Sequence, residues 1–134
     1  MPKIAFWNDD SKRKVDPKLF SEKAESLAKV LNKDHEATRN KANKRTQIRK
    51  FYDEVLRLQA QGQAQADKWD AILPQVHMIT AKAAYALGRE LVSENFVVFI
   101  RESVDQIQNP QDLTVFANFF EAFMGFYRLH GPRA

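Results

Sequence analysis

Between Arg39 and Lys50 the chain carries six cations, Arg39, Lys41, Lys44, Arg45, Arg49 and Lys50, and no acidic residue. Cationic side chains at that density suit one task above others, the neutralisation of phosphate oxygens. The whole chain of 134 residues has a net charge of +4, so this stretch at +6 sits on a remainder of −2. Concentrated positive charge on a nearly neutral body is the pattern of a polyanion-binding module rather than of a generally basic protein. The six cations divide by their neighbours. Arg49 has Asp53 four residues on, Lys50 has Glu54, and Asp53 has Arg57. Pairing along a helix face, at about 0.2–0.5 kcal/mol per pair, accounts for these. Lys41, Lys44 and Arg45 lack such partners and crowd the predicted start of a helix, where the dipole disfavours cations by about 0.3–1 kcal/mol each. A phosphate held by Thr46 and the free amides of that first turn would relieve them. A solvated basic loop is the alternative.

A second pattern lies in Thr80 to Glu90. On a helix Lys82, Tyr85 and Arg89 fall at i, i+3 and i+7, which presents two cations around one aromatic ring. Cations for phosphates and a phenol ring for a sugar or base suit a nucleic-acid backbone. The alternative is that Tyr85 packs inward and only the cations reach water. Other chemistry finds no residues to carry it. There is no cysteine, and His35, His77 and His130 are far apart in sequence with no metal-ligand spacing. No glycine-rich phosphate loop, nucleophile elbow or dinucleotide fingerprint is present, and solvated helix faces explain most of the carboxylates. Neither an enzyme nor a cofactor is expected.

The elements that must position these residues are read as helices. Glycines number 4 and prolines 5, against long runs of Ala, Leu, Glu, Lys, Gln and Arg. Residues 1–15 are expected to be flexible or irregular. Asp16-Pro17 reads as a cap followed by a first-turn proline, opening a helix to about Lys33, with a polar loop or frayed end after it. Thr46 is the expected cap of a second helix with Ile48, Phe51, Tyr52, Val55 and Leu58 on its apolar face, ending or pausing near Gly62. A third region runs from about Asp67 to Leu91 and should kink or break near Leu73, because Pro74 removes a backbone donor. Ser93 caps a fourth helix; Asn109-Pro110 starts a fifth, which Gly131-Pro132 ends. The expectation is one all-α domain, a single compact bundle of about five helices. Seven of the ten phenylalanines lie between Phe96 and Phe126, and a packed core is the ordinary reading of such a stripe. Phe119 and Phe126 widen it enough to meet another chain. The longest apolar run, Phe96 to Ile100, is far too short to span a bilayer, and with no leader pattern at the start the chain reads as cytoplasmic, with no membrane partner.

Three stretches in order, KRTQIRKFYDEV (Lys44 to Val55), LPQVHMITAKAAYALGR (Leu73 to Arg89) and FANFFEAFMGFYRLHG (Phe116 to Gly131), resemble the small helical subunit of the type III-A CRISPR effector, the Csm complex. The resemblance covers the chain from about residue 44, leaving the helix at 16–33 outside the family-like region. It implies a non-catalytic subunit stacked in a filament with neighbouring copies of itself, beside the backbone and large subunits. It also implies contact with the target RNA and CRISPR RNA duplex at the phosphates, without sequence reading. By motif position it points to Arg49, Lys50, Lys82 and Arg89; Lys41, Lys44, Arg45 and Tyr85 come from the charge and spacing arguments. The competing class is a helical protein–protein scaffold or adaptor that docks through the aromatic last helix and binds no nucleic acid.

Overall fold

The computed structural model describes residues 1, 3–9, 11 and 14–133. Five helices form the fold: α1 (Ala24–Ala37), α2 (Arg45–Ala64), α3 (Trp69–Gly88), α4 (Glu94–Val104) and α5 (Pro110–His130). α1 packs chiefly on α5, α3 on α4, and α2 lies against both α3 and α5. The all-α expectation holds, and among the described residues there is no strand beyond an isolated bridge between Trp7 and Val15.

Local caps end the helices where short-range chemistry dictates. Ser93 Oγ accepts from the Phe96 amide at the start of α4, and Asn109 Oδ1 accepts from the Asp112 amide at 2.8 Å with Pro110 in the first turn of α5. Other boundaries moved. Asp16 caps nothing directly: its carboxylate accepts from the Lys18 amide and pairs with Lys23 at 2.6 Å, and a π-helical turn, Leu19–Lys23, leads into α1. α1 runs to Ala37, not Lys33, because its polar end has tertiary partners. Buried His35 donates from Nδ1 to the Ala42 carbonyl at 2.7 Å, and Asp34 accepts from Ser93 Oγ and Asn95 Nδ2.

Thr46 is not the cap of α2. Lys44 holds that position without a side-chain bond, and Thr46 stands in the first turn. The helix ends at Ala64, inside the glutamine-rich stretch around Gly62 where an end was expected, and a Cβ at Gly62 would make only ordinary contact with the Trp69 ring at 3.4 Å. α3 is continuous through Pro74. The proline sits in its second turn, where the carbonyl deprived of a donor belongs to exposed Asp70 and water can replace the lost bond. α3 ends in a Schellman turn, with Leu91 N–H bonded to Ala86 O and Glu90 N–H to Leu87 O. Glu90, not a glycine, takes the left-handed position at φ 62°.

The aromatic stripe is core. Phe116, Phe119, Phe120, Phe123 and Tyr127 are fully buried, and Phe126 is half-buried against them. Phe119 is covered by α4 and by the N-terminal segment, whose Phe6 lies 6.0 Å from it and stacks on Phe116 at 6.2 Å. That segment forms no helix among its described residues and is anchored to α4 and the connection after it. The Ile4 and Phe6 amides donate to Glu102 Oε1 and Gln106 Oε1, and Gln106 Nε2 returns a bond to the Ile4 carbonyl. Most of the aromatic face that the adaptor reading would dock through thus lies inside the bundle, with Phe126 half-buried and Leu129 exposed on α5. Among the described residues, Ser103 Oγ is buried with no hydrogen-bond partner. A buried hydroxyl in that state costs roughly 1–3 kcal/mol. Ser103→Ala should raise the denaturant midpoint, by about 1 kcal/mol in unfolding free energy; a loss of stability would show that the hydroxyl is satisfied in solution.

Candidate nucleic-acid interface

Successive residues on a helix point about 100° apart, so α2 cannot keep its cations on one side. Arg49 and Lys50, neighbours in sequence, line different grooves. Lys50 faces α3 across a groove of about 360 Å³ that is also lined by Lys82, Tyr85 and Arg89. Arg45 and Arg49 face α5. Lys44 turns toward α1 and the chain end near His35 and Glu36, and Lys41 toward the α3–α4 connection. The run that reads as one patch in sequence is thus spread over four surfaces.

The α2–α3 groove unites four of the eight candidate residues. Tyr85 is 64% exposed, which decides against its packing inward. The Arg89 guanidinium lies 5.9 Å from its ring centre. Such a cation–π contact holds both groups at the surface while leaving ring face and charge accessible. Glu54 is the one acid in the groove. It accepts from Arg57 Nε at 2.7 Å and from Lys82 Nζ at 3.2 Å. The Arg57 hydrogen bond, with help from Lys82 and against partial burial, holds its carboxyl below the usual glutamate range. Three lysine or arginine charges against one carboxylate leave the groove positive.

The local pairs expected along α2 are only partly made. Arg49 meets Asp53 at 3.3 Å, but Glu54 takes Arg57 and Lys82 in place of Lys50, and Asp53 does not pair with Arg57. Lys50 is left without an acid among the described residues, which strengthens its candidacy. Lys41 loses part of its case: it pairs with Glu90 at 2.6 Å, a residue 49 positions away. Both side chains are more than half exposed, and such a pair contributes about 0–1 kcal/mol, little enough for a phosphate to displace it. Arg45 donates to the Arg133 backbone carbonyl. Thr46 lines the α5-facing groove with Arg45, while Lys44 and Lys41 lie on other surfaces, so the three cations expected around a first-turn phosphate are not gathered in one place.

A family model described as Csm2 Type III-A matches residues 14–133. The chain belongs to that family. It is accordingly a small subunit of the type III-A CRISPR effector, the Csm complex. No curated protein and no solved structure matches it significantly. The Csm2 match begins at residue 14 and so takes in α1, which the sequence resemblance had set outside the family-like region. The structure gives the reason for that helix: it is packed along α5 as part of the bundle, with Leu27, Ala28 and Leu31 buried. No helix among the described residues is long and apolar enough to cross a membrane.

Two cations of this Csm2 chain that the sequence reading passed over, Arg128 and Arg133, stand across from Arg45 and Arg49. Arg128 falls within the last family-like stretch, Phe116 to Gly131, and Arg133 just beyond it; the approach of α5 to the start of α2 brings both across from Arg45 and Arg49.

Proposed function

We propose that this Csm2-family subunit receives the sugar–phosphate backbone of target RNA in the α2–α3 groove, holding it by charge and by Tyr85 without reading its sequence and without chemistry of its own. The observation that carries this is the exposed Tyr85 ring between Lys82 and Arg89, facing Lys50 across the groove. An apolar ring held in water beside cations costs stability in the isolated subunit, and a ribose or base laid on it recovers the burial. Sequence discrimination is left to pairing between guide and target, while the subunit neutralises phosphates and keeps the strand in its channel. Its partners on this reading are the target RNA and CRISPR RNA duplex, the backbone and large subunits, and neighbouring copies of itself, all in the cytoplasm.

The test is binding of target RNA by the assembled complex over a salt series. Lys82→Gln with Arg89→Gln is preferred to charge reversal, because a glutamate at 82 would face Glu54. Single-stranded contacts contribute a slope of about 0.7 each, so the double substitution should reduce the salt slope by roughly 1.4. Tyr85→Ala should weaken binding by about 1–3 kcal/mol with the slope unchanged, since stacking releases no counterions. An unaltered slope in the substituted assembly would remove Lys82 and Arg89 from the site.

A further inference from the structure

The first two turns of α2 separate the α2–α3 groove from a second one, of about 670 Å³, between the start of α2 and the end of α5. Four of the residues lining it are arginines, Arg45, Arg49, Arg128 and Arg133, and none is acidic. Arg128 is suited to the last turn of α5 by the helix dipole, but Arg45 stands in the first turn of α2, where the dipole opposes it. Among the described residues Arg45, Arg128 and Arg133 have no ion-pair partner, and Arg49 has only the exposed contact with Asp53. Three guanidiniums without an ion-pair partner, beside a fourth whose acid is the exposed Asp53, repel one another, and the core beneath them does not require their charge. The Arg45 side chain, by donating to the Arg133 carbonyl, also holds the end of the chain across the groove.

The chemistry of the occupant follows from the side chains. Planar guanidiniums take phosphate oxygens in pairs. No exposed ring lines this groove, since Tyr127 is fully buried, so bases find nothing to stack on here and the backbone is what is recognised. One turn further along α2 stand two carboxylates, Asp53, paired with Arg49 at 3.3 Å, and Glu121 of α5, whose charges act after burial to raise the Tyr52 phenol against the opposing Arg49. A polyanion is therefore turned away from a path along α2. It is directed across the helix toward Lys50, which follows Arg49 in sequence and lines the other groove.

We propose that Arg45, Arg49, Arg128 and Arg133 form a second phosphate subsite for the same RNA strand, which crosses the first two turns of α2 from one groove to the other. This rests on the α2–α3 groove being the RNA site, and the two claims separate experimentally. The full chain is titrated with fluorescein-labelled oligouridine over a salt series, alongside Arg128→Gln/Arg133→Gln and Lys82→Gln/Arg89→Gln. Each pair should lower the salt slope by about 1.4, and the four substitutions together by about twice that. Arg128→Lys/Arg133→Lys, which keeps the charge, should retain the slope. Equal thermal midpoints among the variants confirm that the fold is intact. An unchanged slope in Arg128→Gln/Arg133→Gln, with a fall in the α2–α3 variant, overturns the second subsite and leaves the proposed function standing. A fall only in the α5 variant overturns the crossing path and the α2–α3 site together. No change in either, or no binding by the unsubstituted chain at the lowest salt, overturns both.

Discussion

Asn43→Ala should lower the unfolding free energy by about 3 kcal/mol, although the residue lies in a loop. Asn43 is fully buried, and every polar group it has is bonded. Its Nδ2 donates to the Leu31 carbonyl at 3.2 Å and to Ser93 Oγ at 2.9 Å, while its Oδ1 accepts from the Ser93 amide at 2.9 Å. Its own amide donates to the Leu91 carbonyl, and its carbonyl accepts from the Tyr127 hydroxyl. One residue thus ties α1, the α3–α4 connection and α5 to the start of α2. Alanine removes the three side-chain bonds and strips partners from buried groups, at roughly 1–3 kcal/mol where water cannot enter. It also keeps a φ of 62° that asparagine tolerates better than alanine does. Asn43→Gly separates the two causes. Freed of the backbone strain, it should be less damaging than alanine by about 1 kcal/mol. Chemical denaturation measures both, and a loss below about 1 kcal/mol for Asn43→Ala would mean that water satisfies the released groups.

The Tyr127 bond adds a pH dependence. Burial raises the phenol well above the usual tyrosine range, so the folded state holds a proton that the unfolded chain releases. The contribution is complete below the unfolded value, about 10, and declines as pH rises beyond it toward the folded one. Because Lys44 and Arg45 follow Asn43 directly, loosening this knot should also release the basic α2 start from its place between the grooves.

The other large loss is expected at Phe99, by about 3–5 kcal/mol on replacement with alanine. Its ring centre lies 5.2 Å from Phe120 and 5.8 Å from each of Phe96, Phe119 and Phe123, with Phe116 at 6.0 Å. Most of these contacts are edge-to-face, the geometry that the ring quadrupoles favour. Truncation leaves a cavity walled by five rings, and rings held by their own neighbours collapse poorly into space. Phe99→Leu fills most of the volume and should cost about 1.5 kcal/mol or less. A thermal or denaturant scan decides this; an alanine loss near that of leucine would show that the ring cluster relaxes. Below the melting range, the Phe99 variants should keep the salt slope of RNA binding, which separates a weakened core from an altered site.

The helices and the aromatic core were legible in the sequence because their causes are short-range. Apolar positions stepping by three and four specify a buried face whatever it meets, and Ser93, Asn109 and Pro110 act within a turn of themselves. The misplaced boundaries are those settled by what surrounds the helix. α1 continues past Lys33 because Asp34 and His35 find partners in other segments, and α3 continues through Pro74 because the carbonyl left without a donor belongs to exposed Asp70.

The site divides along the same line. The spacing of Lys82, Tyr85 and Arg89 predicted a shared face, and they share one. Lys41, Lys44, Arg45, Arg49 and Lys50 are clustered in sequence, but Lys41 and Lys44 precede α2 and the helix turns Arg45 and Arg49 to a different side from Lys50. The Arg49–Asp53 pair follows from helix spacing, but tertiary structure gave Glu90 to Lys41 and Glu54 to Lys82. It alone set Arg128 and Arg133 opposite Arg45 and Arg49. Periodicity and capping are properties of neighbours along the chain, so the sequence by itself determined a five-helix bundle with a phenylalanine core and a basic α2 start. An electrostatic surface is summed over whatever the fold brings within a few ångströms, and that sum exists only once the chain has packed.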